Sequence, residues 1–213
     1  MRAWLLLAVG LTGCADAVWT PAVGLPWWEE EGLVPAERVA EGCTLQFEEV
    51  VLGLPVVGLR DGASWTAPPN QAVDLVVGMR TLGEVRVPEG GDYTDVALTL
   101  GPVEEVADTA ADGGATAEQR ARVTAGGVAR LGVSCGDEVG AIDLQLPAST
   151  VICPFPASVE IRAQGSFGTL AVFDAAALLG PELFGPELLA EPPVIESLDG
   201  AWTNQEGTRC VVE

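Results

Sequence analysis

The chain has 213 residues, of which 31 are Asp or Glu, 10 are Lys or Arg and none is His, and its net charge at pH 7 is −21. A chain this acidic is repelled by the phosphates of nucleic acid, which excludes DNA and RNA as partners. Because the chain has no His, it also lacks the usual general base for a Ser or Cys nucleophile.

A short apolar segment opens the chain. It follows Arg2, spans Ala3–Gly10 and is far shorter than the roughly 20 residues of a membrane-spanning helix. A positive start, a short apolar core and small residues at the end are typical of a secretory signal. The end of the segment, Leu11-Thr12-Gly13-Cys14, resembles the lipobox of bacterial lipoproteins.

This resemblance implies both a cleavage site and an anchor. In lipoproteins a dedicated peptidase cuts before the Cys, and the Cys thiol takes a diacylglycerol. The expected signal peptide is therefore residues 1–13, and Cys14 is the expected lipidation site, which attaches the chain to a membrane. The alternative is an ordinary secretory signal with an incidental Cys. Ala15 stands where an Asp signals inner-membrane retention in enteric bacteria, which favours the outer membrane.

Residues 14–42 are predicted to form an irregular leader or tether. Pro21, Pro26 and Pro35 interrupt this segment. Residues 43–213 are predicted to form a single β-sandwich domain, which is long enough to bury a sizeable core.

From residue 44 onward the hydrophobic pattern has a period of two, which is typical of half-buried strands. The clearest strand is Tyr93–Leu100, and the slip at Val50-Val51-Leu52 indicates a bulge or full burial. Residues 101–119 are predicted to be a polar loop. The other segments with strand character are residues 44–49, 55–59, 72–77, 82–87, 120–124, 128–134, 142–146, 151–153, 159–161 and 170–173.

Helix is predicted to be a minor component. Asp174 is an expected N-cap for a short helix at residues 175–179, and Gly-Pro-Glu-Leu occurs twice, at residues 180–183 and 185–188, which favours broken helical turns. The tail, residues 200–212, is expected to close a sheet edge. Many short strands separated by turn signals predict an all-β fold, an antiparallel β-sandwich of the immunoglobulin or transthyretin type.

Apart from Cys14, the chain has four cysteines: Cys43, Cys135, Cys153 and Cys210. In an exported protein this number predicts two disulfides, for which three pairings are possible. The favoured pairing joins Cys135 to Cys153 and Cys43 to Cys210. Metal binding by the four thiolates is disfavoured because no C-x-x-C spacing is present.

Part of the chain also resembles a plan seen in exported lipoproteins. Its features are the strand Thr44–Gly53, the segment Val73-Asp74-Leu75, and the stretch Val87–Val96, in which Pro and Gly turn the chain before Tyr93. These features are similar to the DUF4382-type and MbnP-like β-sandwich lipoproteins. MbnP-like proteins are linked to copper through His ligands and a modified Trp. No metal residue is carried over to this chain, because it has no His.

The sequence offers only weak candidates for chemistry. Gly132-Val133-Ser134-Cys135-Gly136 fits the letters of the G-x-S-x-G nucleophile elbow, but no His is available and the context is all-β, so we expect no enzyme activity. Trp65 and Trp202 are possible sugar-stacking residues or core residues. The weak candidates for a Ca²⁺ site are the acids of the polar loop, Glu104, Glu105, Asp108 and Asp112.

The function expected from these observations is a lipid-anchored, non-enzymatic binding or structural module at the cell envelope. Its partners would be the membrane, through Cys14, and an envelope protein or a glycan. A surface module that binds Ca²⁺ or a glycan is the alternative, and no cofactor other than Ca²⁺ is expected.

Overall fold

The computed structural model describes residues 16–26, 37–40, 43–60, 64–67, 71–88, 91–103, 114–162, 164–179 and 187–213. Helices in these residues are short: α1 (Ala117–Arg122), a 3₁₀ helix (Ala175–Leu178) and α2 (Glu187–Ala190). The strands are β1 (Asp16–Gly24), β2 (Glu37–Ala40), β3 (Cys43–Leu54), β4 (Val56–Arg60), β5 (Ser64–Ala67), β6 (Gln71–Asp74), β7 (Arg80–Thr81), β8 (Val85–Pro88), β9 (Asp95–Leu100), β10 (Gly127–Cys135), β11 (Glu138–Leu146), β12 (Ser149–Pro154), β13 (Ser166–Phe173), β14 (Trp202–Asn204) and β15 (Val211–Val212).

These strands form three five-stranded sheets. Sheet A has the order β14-β13-β1-β7, with β8 also paired to β1. Sheet B has the order β11-β10-β3-β2, with β6 also paired to β3, and sheet C has the order β15-β12-β9-β4-β5. The predicted all-β sandwich is confirmed. One strand pair among the described residues departs from the antiparallel prediction, because β1 and β13 are parallel.

A single large apolar core joins the three sheets. Its fully buried side chains include Trp19 of sheet A, Leu52 of sheet B and Leu98 of sheet C. Strand β9 has the predicted alternation, with Val96, Leu98 and Leu100 buried and the residues between them half-buried. Of the two alternatives predicted for residues 50–52, full burial is the one present, since the residues of β3 from Val50 to Leu54 are all buried. A bulge does occur in β3, but earlier, at Glu48 opposite Arg130/Leu131.

The burial of both faces of β3 has a simple cause. Val51 points away from the main core and packs in a second apolar cluster with Ala115 and Val123, which flank α1. Helix α1 therefore covers the outer face of sheet B. The predicted strand at residues 120–124 is wrong, because Thr116 and Gln119 form a capping box that starts the helix at Ala117.

Strand β3 crosses from sheet B to sheet C at Gly53. The Gly53 N–H donates to the Gly126 carbonyl, and the Gly101 N–H donates to the Gly53 carbonyl, each at 3.0 Å. A Cβ at Gly53 would lie 2.1 Å from the Gly101 carbonyl oxygen, so only glycine permits this crossing. Pro55 follows, and the chain continues as β4 in sheet C.

The predicted irregular leader at residues 14–42 is wrong where the structure describes it. Strand β1 lies inside sheet A, between β13 on one side and β8 and β7 on the other. Pro21 does not break it, because Pro21 lies where the ladder passes from β8 to β7 and needs no N–H on that side. The Pro21 carbonyl accepts a hydrogen bond from the Leu82 N–H instead. Strand β2 then lies at the edge of sheet B.

Most remaining elements near the C-terminus match the sequence analysis. Asp174 caps the 3₁₀ helix by accepting a hydrogen bond from the Ala176 N–H at 3.0 Å, as predicted. The tail closes two sheet edges, with β14 in sheet A and β15 in sheet C. Residues 159–161 form no strand; they follow a turn at residues 157–158, which the hydrogen bond from the Val159 N–H to the Pro156 carbonyl closes. The first Gly-Pro-Glu-Leu repeat lies outside the described residues.

The four cysteines form two disulfides, as predicted, but the favoured pairing is wrong. The bonds are Cys43–Cys135 and Cys153–Cys210. Cys43 and Cys135 face each other across β3 and β10 of sheet B, whereas Cys153 lies in sheet C and cannot reach Cys135. Cys210, between β14 and β15, joins the C-terminal segment to β12.

Candidate functional site

The surface that lies nearest to the expected lipidation site is the one where β1 begins. Asp16, its first residue, is only two positions after Cys14, which itself lies outside the described residues. Asp16 pairs with Pro88 of β8, and Val18 pairs with Ser166 of β13. The chain therefore enters the folded sheet directly after the expected lipidation site, and β1 is not available as a flexible tether.

Strand β1 begins at one end of sheet A, and we call this end of the sheet the anchor end. Its exposed side chains on β8, β1 and β13 lie in register across the sheet, with Arg86 and Ser166 on either side of Val18. The loop before β13 closes the same end, since the Val18 N–H donates to the Gly165 carbonyl and the Gly165 N–H donates to the Arg162 carbonyl, each at 2.9 Å. The residues that define the anchor end are Asp16, Arg86, Pro88, Arg162 and Ser166.

An aromatic cluster supports the anchor end from inside. The ring centroids of Tyr93, Phe155 and Phe167 lie 5.8–6.3 Å apart, which is the range of favourable aromatic pairs. The Tyr93 hydroxyl donates to the Pro88 carbonyl at 2.6 Å. This bond fixes the end of β8 beside Asp16, so the anchor end has a rigid base.

A buried hydrogen bond holds β1 to its parallel partner. Trp19 is fully buried, and its Nε1–H donates to Thr169 Oγ1 at 2.9 Å. Thr169 is one of the few buried polar residues among those described. Trp19 was predicted to belong to the irregular leader. Every second residue around it is apolar (Ala17, Trp19, Pro21 and Val23), and this spacing is typical of a strand.

An apolar groove opens on the outer face of sheet A, away from the anchor end. It has a volume of about 360 Å³ and includes Leu25, Met79, Leu170 and Val172, with Gln205 at its rim. Met79 is 41% exposed, and Val77, two residues before it in the chain, is 54% exposed, which is high for large apolar side chains. Sequence analysis did not predict this groove, because its walls come from four separate segments.

A polar cleft of about 460 Å³ lies between α1 and sheet B. Its charges are largely paired. Arg122 bonds to Glu49, Arg130 contacts Glu48 at 3.1 Å, and both arginines contact Asp143. The hydrogen bond with Glu49 raises the pKa of Arg122 above its ordinary value. The pairs of Arg122 hold α1 on the sheet and those of Arg130 join strands within it, so the cleft is best explained as a structural contact.

The G-x-S-x-G match does not form a nucleophile elbow. Residues 132–135 lie within β10, and the chain then turns tightly into β11 rather than into a helix. Cys135 of the motif is in a disulfide. The strand–turn–helix geometry that exposes a nucleophilic Ser is therefore missing at Ser134.

The other predicted site residues do not assemble into a site in the described residues. Glu104, Glu105, Asp108 and Asp112 all lie outside that part of the chain. Within it, no group of three or more metal-ligating side chains occurs. Trp202 is fully buried and packs on Phe173 with ring centroids 4.7 Å apart, so of its two predicted roles it has that of a core residue and not that of a sugar-stacking residue. Trp65 lies in β5, and its side chain is not described.

No helix in the described residues is long and apolar enough to cross a membrane. Comparison with protein-family models, with curated proteins and with solved structures finds no match to this chain.

Proposed function

We propose that this chain is a lipid-anchored protein of the cell envelope, held to the outer membrane through Cys14, and that its β-sandwich is a non-enzymatic binding or structural module. The observation that supports this most directly is the Leu11-Thr12-Gly13-Cys14 sequence, placed after a short apolar segment and immediately before the first strand. A lipobox requires this order of signal, Cys and folded domain.

The disulfides support the compartment in this proposal. Bonds such as Cys43–Cys135 and Cys153–Cys210 persist in oxidising environments and are rare in the cytosol. They indicate a location outside the cytoplasm. The net charge of −21 agrees with a protein that is kept soluble and apart from anionic surfaces except where it is anchored.

The groove on sheet A supports a binding role over catalysis. It offers apolar walls with polar atoms at the rim, which is the usual character of a recognition site. No His is present in the chain to act as a general base there. The acids that would carry Ca²⁺ binding lie outside the described residues, so a surface module that binds Ca²⁺ or a glycan stays the alternative prediction.

The proposal is tested by replacing the anchor residue in the full chain, expressed in a bacterium that processes lipoproteins. Wild-type protein is expected in the membrane fraction and in the detergent phase of a phase-partition assay. Cys14→Ser without residues 1–13 is expected in the aqueous phase, because the thiol that takes the lipid is missing. Thr12→Ala, which keeps a small residue before the Cys, is the matched control and should behave as wild type. Retention in the detergent phase of Cys14→Ser that has lost residues 1–13 would contradict the proposal, whereas an uncleaved chain can be held there by its apolar segment.

A further inference from the structure

We infer that the domain sits directly on the membrane by its anchor end, with β1 pointing away from the bilayer and the sheet A groove held out of the lipid. This inference rests on the proposed lipid anchor and goes beyond it, because it assigns a membrane-facing surface: Asp16, Arg86, Pro88, Arg162 and Ser166.

The first argument is the length of chain available. Consecutive Cα atoms are about 3.8 Å apart, so the Cα of Asp16 lies within about 7 Å of the Cα of Cys14, whatever path the chain takes. The headgroup region of one leaflet is about 5–8 Å thick. A lipid on Cys14 therefore brings the first residue of β1 to the level of the headgroups.

The second argument is that β1 cannot be pulled out to lengthen this connection. It pairs with β13 from Val18 to Gly24, and on its other side it pairs with β8 from Asp16 and then with β7. Its Trp19 is fully buried and hydrogen-bonded to Thr169. Freeing the strand would expose the indole and break both ladders, so the short connection is fixed by the fold.

The third argument is the charge at this end. The chain has about three acidic residues for every basic one, yet Arg86 and Arg162 both lie at the anchor end and are exposed. Arg162 pairs with the exposed Glu160 at 2.7 Å, whereas Arg86 has no ion-pair partner within the described part of the chain. The acids at the same end, Asp16 and Glu160, match the two arginines in number, so the anchor end is close to neutral in a chain of charge −21. Because salt screens charges beyond about 8 Å, this local balance allows Arg86 to meet a lipid phosphate.

The orientation has a consequence for the groove. Leu170 and Val172 pair with Ala22 and Gly24, six and eight residues along β1 from Asp16. At about 3.3 Å per residue, the groove lies about 20–26 Å from the anchor end. The membrane therefore leaves the groove open to a partner in the aqueous compartment.

The test uses the full lipidated chain, reconstituted into vesicles of neutral and anionic phospholipid that contain a headgroup-attached quencher. A fluorophore is attached to Ser166→Cys at the anchor end or to Thr203→Cys beside the groove. The Ser166→Cys label is expected to be quenched several-fold more than the Thr203→Cys label. A flexible twelve-residue Gly/Ser insert between Ala15 and Asp16 is expected to remove this difference, and Arg86→Glu is expected to reduce it.

Each outcome has a defined meaning. Equal or reversed quenching at the two positions in lipidated protein would overturn the seated orientation while leaving the lipid anchor intact. A difference that survives the twelve-residue insert would show that the short connection does not set the orientation, and would also overturn the inference. Mass spectrometry of the same sample reports the lipid on Cys14, and its absence would overturn the anchor and the orientation together.

Discussion

At the scale of single residues, the two fully buried tryptophans of sheet A differ in one respect. Trp19 Nε1 donates to Thr169, whereas Trp202 Nε1 is buried without a hydrogen-bond partner among the described residues. Trp19→Phe leaves the Thr169 hydroxyl buried and unpaired, and Trp202→Phe removes an unsatisfied N–H. We expect Trp19→Phe to lower the free energy of unfolding by about 1–3 kcal/mol more than Trp202→Phe. Urea denaturation measures both; equal losses would contradict the assigned hydrogen bond.

One carboxylate is predicted to make stability depend on pH. Hydrogen bonds from Ser158, through its hydroxyl and its backbone N–H, with a further one from the Ala157 N–H, hold the pKa of Glu206 below its ordinary value. A lowered folded-state pKa stabilises the protein above the unfolded-state pKa of about 4.3, and this stabilisation is lost as the pH falls through the folded-state value.

The measurement compares melting temperatures at pH 7 and pH 3. Glu206→Gln is expected to melt below wild type at pH 7 and to approach it at pH 3. Glu138→Gln, which removes an exposed carboxylate from the start of β11, is the charge-matched control. It corrects for the self-repulsion of a chain with charge −21. A wild-type advantage that is the same at both pH values would contradict the assigned role of Glu206.

At the scale of elements, the crossing of β3 between two sheets depends on Gly53. A Cβ there would overlap the Gly101 carbonyl, so Gly53→Ala is expected to cost about 1–3 kcal/mol of unfolding free energy by forcing sheets B and C apart. Gly168→Ala is the control, because its Cβ would meet only the Thr20 carbonyl at 3.4 Å. It should leave stability unchanged or raise it by about 0.5 kcal/mol. Denaturation of both variants tests this; a tolerated Gly53→Ala would show that the crossing is looser than described.

The elements that the sequence predicted well are those whose patterns are local. The alternation of β9, the Asp174 cap and most of the short strands follow from neighbouring residues and are present, whereas the strands predicted at residues 120–124 and 159–161 are not. Strand β1 was missed because Pro21 looks like a strand breaker. Only the tertiary arrangement, with β7 ending and β8 beginning beside Pro21, makes that proline acceptable in the strand.

The disulfide pairing was predicted wrongly, and the groove and the anchor end were not predicted at all, for a related reason. Cys135 and Cys153 are close in sequence, but β10 and β12 belong to different sheets, and nothing in the local pattern shows this. The groove and the anchor end are each built from segments far apart in the chain. Only the proposed lipobox, Leu11–Cys14, is a local pattern, and it is the part of the proposed site that the sequence alone predicts.

At the scale of the whole molecule, the fold changes what the lipobox implies. A leader of residues 14–42 would hold the domain at a distance from the bilayer. With β1 beginning at Asp16, a lipid on Cys14 instead places one end of the sandwich at the membrane and leaves the groove facing outward. The anchor would then act as an orienting device as well as a point of attachment.

The most direct test of this account is the mass of the N-terminal peptide of the protein isolated from its own membranes. The account predicts a chain that begins at Cys14 and has the added mass of a thioether-linked diacylglycerol on that residue. A mature chain that begins at any other residue, or an unmodified Cys14, would contradict it.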